Sequence, residues 1–188
     1  HRAGFDRNYW IWEEPQLGEE YLCVGDVARG DGKDYSTVHI IKTSTMEQVA
    51  EYQGKLTGDM FAPLITDIAK EYNNALLVIE NNKDYGVLSR IEDLEYDNLY
   101  YSLKTSHEYI DQLTAQVKNG VAGFTMSMKT RPLVVAKLEE FIRNNILTIN
   151  SVRTASELKT FIWHNGKAQA MRGYNDDLVM ALAIRCWV

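Results

Sequence analysis

The sequence predicts an α/β domain: a mixed central sheet with three antiparallel strands followed by parallel strands, and helices on both faces. Three observations carry this. Between Tyr21 and Gln53, three short apolar or alternating segments follow one another with tight connections, as in an antiparallel meander. From Asp59 onward, segments with helical spacing alternate with short apolar runs, the pattern of strand–helix units. Residues 75–79 are apolar at every position, as expected of a strand covered on both faces beside a parallel neighbour.

Residues 1–18 have no clean period and read as an approach segment; residues 19–188 read as the domain proper. A chain that opens on His1 rather than Met reads as a fragment, and the Tyr9-Trp-Ile-Trp12 stretch is expected to pack on the domain. Residues 21–26 form a buried strand that ends on Asp26, residues 29–34 a turn rich in Gly and Asp, residues 37–41 a return strand and residues 48–53 a third. Phe61, Leu64, Ile65, Ile68 and Ala69 set a helix over 59–72. The strand over 75–79 leads into Glu80, and Asn81 and Asn82 turn the chain into a helix over 86–94 with Val87, Leu88 and Ile91 inward. Residues 99–103 read as another strand, whereas residues 105–123 read as a loop or insertion with no assigned place. Thr130 as N-cap and Pro132 in the first turn open a helix to Asn144. Thr154 and Glu157 have the spacing of a capping box for a short helix. Residues 161–170 read as a hairpin with Asn165-Gly166 as a type I′ turn, and Asp176 and Asp177 lead a strongly apolar last helix.

Composition narrows the function classes. With 188 residues, 45% hydrophobic and 24% charged, the chain suits one globular domain and excludes a disordered tail or a rod. No apolar run is long enough to span a membrane. Cys23 and Cys186 are too few for a disulfide framework and read as buried thiols in a reducing cytoplasm. A net charge of −6 gives no basic footprint for nucleic acid.

Three carboxylates stand where the apolar pattern disfavours charge: Asp26 and Glu80 at strand ends, Asp177 at the start of an apolar helix. Each has a structural alternative. Asp26 can accept from the turn that follows, Glu80 can pair with Lys83 or Lys104, and Asp176 or Asp177 can cap its helix. Together they point elsewhere. The meander followed by a strand–helix unit makes the first and fourth strands neighbours, so Asp26 and Glu80 stand side by side, and a helix crossing that end adds Asp177. Clustered carboxylates repel unless cations lie between them, and hard oxygen donors suit Mg²⁺ or Mn²⁺. Two such ions, about 4 Å apart, hydrolyse a phosphodiester. An acidic site then meets phosphate through its cations, which answers the objection from net charge.

Val24-Gly-Asp26-Val-Ala-Arg-Gly-Asp-Gly-Lys-Asp34-Tyr-Ser, Leu77-Val-Ile-Glu80-Asn-Asn and Gly173-Tyr-Asn-Asp-Asp177-Leu-Val-Met-Ala-Leu occur in order on the predicted elements. With these segments the chain resembles the nuclease domain of the large terminase subunit, the DNA-packaging protein of tailed bacteriophages, most like its myovirus branch. The resemblance implies a ribonuclease H-like fold and a two-metal endonuclease that trims concatemeric double-stranded DNA. It implies that Asp26, Glu80 and Asp177 are the catalytic, metal-holding acids, with Asp34 supporting them and Asp176 the alternative to Asp177. It also implies as partners an ATPase domain of the same full-length chain, joined through residues 1–18, the phage portal and the small terminase subunit, all in the host cell cytoplasm. No Gly-x-x-x-x-Gly-Lys-Ser/Thr motif is present, so no ATP hydrolysis is expected of these residues.

Lys129 and Arg131 form a basic cluster at a helix start and are candidates to hold DNA phosphates, as is Lys104 and, more weakly, Arg153. The alternative for the cluster is a solvated helix cap. His39, His107 and His164 lack metal-pair spacing, and Trp163 and Tyr174 read as core packing. Two rival functions remain: another ribonuclease H-like nuclease of the junction resolvase or transposase type, and an actin-like nucleotide-binding module using residues 29–33 as a phosphate loop.

Overall fold

The computed structural model describes residues 1–28, 32, 34–82, 86–103 and 120–188. The central sheet has six strands: β1 (Arg2–Ala3), β2 (Tyr9–Ile11), β3 (Tyr21–Asp26), β4 (Ser36–Lys42), β5 (Glu47–Gly54) and β6 (Leu76–Ile79), in the order β1-β2-β5-β4-β3-β6. All pairs are antiparallel except β3 with β6. The meander and the parallel neighbour therefore fall where the pattern places them. Residues 1–18, expected as an approach segment, contribute two of the strands; Tyr9 and Ile11 are buried there, and β2 lies against β5.

Strand alternation explains the two layers. On β3, Tyr21 and Cys23 face a core built with α1 (Gly58–Glu71) and α2 (Val87–Asp93), while Leu22 and Val24 face a second core built with α3 (Thr130–Arg143) and α5 (Asp177–Trp187). Both sides of the strand are covered, as its unbroken apolar run requires. Gly25 lets α1 approach closely: a Cβ there would stand 2.6 Å from Ile65 Cδ1. Cys23 and Cys186 are buried thiols, and no described helix is long and apolar enough to cross a membrane.

Beyond β6 the chain returns beside the same strand. Leu77 bridges Leu99 in parallel, and Tyr100 N donates to Leu77 O at 2.9 Å. The predicted strand over 99–103 then peels off as β7 (Tyr101–Leu103), paired with β8 (Gly120–Ala122). The rest of the unplaced segment, residues 105–119 with His107, lies outside the described residues, as does Lys104. Gly123, at φ +80°, is required here because a Cβ would stand 2.5 Å from Ile79 O, directly behind the strand end that carries Glu80.

Two predicted caps are displaced. Thr130 is the first helical residue of α3, not its N-cap; its hydroxyl accepts from Ser127 N, and Ser127 Oγ accepts in return from Thr130 N. The short helix α4 (Val152–Thr160) is capped by Ser151, whose hydroxyl accepts from Arg153 N and Thr154 N. Thr154 and Glu157 are thus inside the helix, and tertiary partners claim their side chains. The hairpin β9 (Phe161–His164) and β10 (Lys167–Ala170) turns at Asn165 and Gly166, both at positive φ as a type I′ turn demands. Trp163 and Tyr174, expected in the core, are 56% and 59% exposed. The hairpin is an isolated two-stranded ribbon, so Trp163 lies on a face that no other sheet covers.

Candidate active site

The parallel register builds the site. Gly25 pairs with Ile79, so the next residues along both strands, Asp26 and Glu80, emerge side by side at the carboxyl ends of β3 and β6. Glu80 N donates to Gly25 O at 3.2 Å, which holds the two strand ends together. On the other side Asp26 pairs with Thr37 of β4. The start of α5 rests on that same residue: Thr37 Oγ1 donates to Asp177 O at 3.3 Å. Asp177 Oδ2 accepts from Tyr35 N at 2.9 Å and from Asn175 Nδ2 at 3.1 Å. One acid from β3, one from β6 and one from α5 are thereby brought to one end of the sheet.

The electrostatics record their closeness. Burial, then the charges of Glu80 and Asp177, push the Asp26 carboxyl well above the usual carboxylate range, against a hydrogen bond from the Val27 backbone. Burial also pushes Asp177 up to about 6, with Asp34 and Asp176 adding repulsion and the bonds from Tyr35 and Asn175 opposing it. Asp34 is exposed at the rim of this field. Glu80 Oε1 accepts from Asn82 Nδ2 at 3.2 Å. Neither Asp26 nor Asp177 forms an ion pair among the described residues, and no three acidic, imidazole or thiol groups there close into a ready-made metal cluster. An all-oxygen donor set whose acids repel one another fits a hard divalent cation, which would relieve the repulsion.

The neighbouring acid behaves differently. Asp176 Oδ2 is 3.0 Å from Arg131 Nη2, and the same guanidinium donates to Ala168 O on the hairpin. Arg131 is thus engaged inside the molecule, while Lys129 is exposed with no ion pair among the described residues. Arg153 is engaged as well: its Nε donates to the fully buried Glu51 at 2.7 Å, and its guanidinium lies 3.6 Å from the Trp10 ring centroid. Lys83, and residues 29–31 and 33 of the proposed phosphate loop, lie outside the described residues.

Beneath the site lies a buried polar network that the sequence motifs do not single out. His39 and Glu51 are fully buried, and Glu157 is nearly so. Burial lowers the His39 pKa, so the ring is held neutral, and it raises Glu157 to about 7. The available signal was polar residues at inward positions of β4 and β5, His39, Gln48 and Glu51.

These shifts fix a pH dependence for the metal-free protein. A carboxyl raised above its unfolded value contributes stability that is full below the unfolded pKa and is lost as pH rises through the folded one. Asp177 near 6 and Glu157 near 7 both lose theirs on the way to pH 8, and Asp26, also raised, acts with the same sign. His39 has the opposite sign, but only below its ordinary value of 6.5. Between pH 6.5 and 8 the melting temperature is therefore expected to fall, by about 2–4 °C for each 1 kcal/mol lost. A flat or rising profile in chelator would show that these acids are not buried against one another.

No family model matches the chain. Several solved structures resemble it over nearly its whole length. The large terminase nuclease from thermophilic phage G20c with bound cobalt gives a TM-score of 0.76 at 14% identity, covering 100% of this chain and 89% of that one. The same nuclease with bound magnesium gives 0.74 at 14% identity with the same coverage. The large terminase nuclease domain of Thermus phage P74-26 gives 0.70 at 14% identity, covering 97% of this chain and 86% of that one. The class is thus an α/β domain with acids at one end of a mixed sheet. The particular fold is the ribonuclease H-like fold of terminase nucleases, as the motifs led one to expect.

Proposed function

We propose that this chain is the metal-dependent endonuclease domain of a phage DNA-packaging terminase, cutting concatemeric double-stranded DNA. The observation that carries it is the register that sets Asp26 beside Glu80 while Thr37, the cross-strand partner of Asp26, seats Asp177. The likeness to the G20c terminase nuclease, solved with bound cobalt and with bound magnesium, supports it. Asp26, Glu80 and Asp177 would hold two Mg²⁺ or Mn²⁺ ions, with Asp34 supporting them. Bound there, the ions would supply an activated water and stabilise the leaving oxygen of the phosphodiester. The chain's own part is to fix those carboxylates, through Tyr35, Asn175 and Thr37 for Asp177 and through the strand ladder for Asp26 and Glu80. Asp176 is assigned to Arg131 rather than to metal. Double-stranded DNA, an ATPase domain of the same full-length protein, the portal and the small terminase subunit are the proposed partners, in the host cell cytoplasm.

The test is cleavage of linear duplex in Mg²⁺ or Mn²⁺, with a four-way junction as competitor. Preference for the duplex supports the proposal, and strong preference for the junction favours a resolvase. For DNA grip, the exposed Lys129 is the phosphate contact, whereas Arg131 is held by Asp176 and Ala168. Lys129→Ala is expected to weaken duplex binding in Ca²⁺ alike for all sequences, and to reduce the slope of log affinity against log salt by about one. Adding Arg131→Ala should lower the melting temperature without a further change in slope. An unchanged slope for Lys129→Ala returns the cluster to a solvated helix cap.

A further inference from the structure

Helix α5 delivers Asp177 from its first position, yet its own N-cap residue does not close that end. The Asp176 side chain makes no capping hydrogen bond and is drawn to Arg131 instead. The orphan N–H groups of the first turn are met from another helix. Leu178 N and Val179 N both donate to Glu157 Oε2, at 2.9 and 3.2 Å, and Glu157 Oε1 accepts from Gln53 Nε2 at 3.1 Å. A carboxylate at this place also matches the positive end of the helix dipole.

The carbonyls of the same turn are held from β4. Thr37 Oγ1 donates to Asp177 O, and His39 Nε2 lies 2.9 Å from Leu178 O. The surrounding bonds settle which ring nitrogen carries the proton. Gln48 Oε1 accepts from Asn150 N and Ser151 N, so its Nε2 faces His39 Nδ1, at 2.8 Å. Nδ1 is then the acceptor, and Nε2 is the donor to Leu178 O. Leu178 is therefore gripped at its N–H by Glu157 and at its C=O by His39. With both fixed, α5 cannot turn about its axis without breaking bonds on two sides, and the direction of Asp177 is fixed with it.

We infer that Glu157 is a positioning residue for the candidate metal site: it locks the first turn of α5 so that the Asp177 carboxylate stays turned toward Asp26. The inference rests on the metal-dependent reading above. The carboxylate touches neither metal nor DNA; it acts through the peptide units that follow Asp177.

The test is Mn²⁺ titration by calorimetry, with duplex cleavage measured in parallel, on wild type, Glu157→Ala, Glu157→Gln and Ile68→Ala. Ile68 is buried on α1, against the opposite face of the sheet, and serves as a control of comparable instability. Glu157→Ala is expected to weaken Mn²⁺ binding about tenfold or more, the usual loss when a ligand's support is removed. Glu157→Gln keeps an acceptor oxygen for the two N–H groups and should stay within about threefold of wild type. Ile68→Ala should lower the melting temperature and leave Mn²⁺ affinity unchanged. If Glu157→Ala does not fold, Glu157→Asp, too short to reach both N–H groups, replaces it with the same expected loss. Wild-type affinity in the Ala or Asp variant, or an equal loss in the Ile68 control, would reduce Glu157 to a structural cap. A wild-type protein that binds no Mn²⁺ overturns the metal-site reading and this inference together; normal wild-type binding with an unaffected Glu157 variant overturns the inference alone.

Discussion

Asp26→Asn, Glu80→Gln and Asp177→Asn are each expected to lower duplex cleavage by about 10³-fold or more, while the fold persists. The size follows from the proposed role. Metal-borne stabilisation of transition-state charge amounts to several kcal/mol, and about 4 kcal/mol is a factor of about 10³ in rate. The fold should survive because these acids strain the metal-free state. Asp26 is raised by burial and by the two other acids, so removing its charge relieves repulsion. Asp26→Asn is accordingly expected to raise the melting temperature in chelator at pH 7.5. Asp176→Asn should behave in the opposite way. It breaks the contact with Arg131 that anchors the hairpin side, so it should cost about 1 kcal/mol of stability and less than tenfold in rate. Near-wild-type cleavage in any of the three would remove that residue from the site. A larger loss for Asp176→Asn than for Asp177→Asn would exchange their roles.

What the sequence revealed, and what it hid, follows from the range of the interactions. Asp26 and Glu80 were legible because a short apolar run ending on a carboxylate is a local pattern, and a meander followed by a strand–helix unit makes those two strands neighbours. The hairpin turn was legible for the same reason, since Asn165-Gly166 carries its own backbone preference. Pairings across long stretches of chain were hidden. Arg131 and Arg153 looked like basic side chains available to phosphate, but their partners Asp176 and Glu51 lie 45 and 102 residues away. Thr154 and Glu157 matched a capping box, but Thr154 bonds Glu51 and Glu157 bonds the start of α5, leaving Ser151 to cap its own helix. Tyr9 and Ile11 showed no strand period because β2 is only three residues long, too short for alternation to appear. Asp176 and Asp177 show the limit most sharply. Adjacent in sequence and identical in type, they are told apart only by Arg131 on one side and Tyr35 on the other.

Chelation is expected to abolish cleavage, Mg²⁺ or Mn²⁺ to restore it, and Ca²⁺ to bind without restoring it. Ca²⁺ takes more ligands at longer bonds than Mg²⁺, so it can settle among these carboxylates without aligning a water for attack. Metal should also be visible in stability, independently of cutting. A cation that binds the folded site at 100 times its dissociation constant adds about 2.7 kcal/mol, or about 5–10 °C in a domain of this size. The increment should grow with pH. Burial and its two acidic neighbours make Asp26 resist ionising until a cation binds, and Asp177, near 6, releases its proton over the same range. Mn²⁺ affinity is therefore expected to rise from pH 6 to pH 8, while the stability of the metal-free protein falls over the upper part of that range. Those two opposite slopes share one cause, carboxyls that resist ionising together until a cation lies between them. Cleavage that survives chelation would end the metal account outright. An Mn²⁺ affinity independent of pH would place the bound ion away from Asp26 and Asp177, whatever the cleavage assay showed.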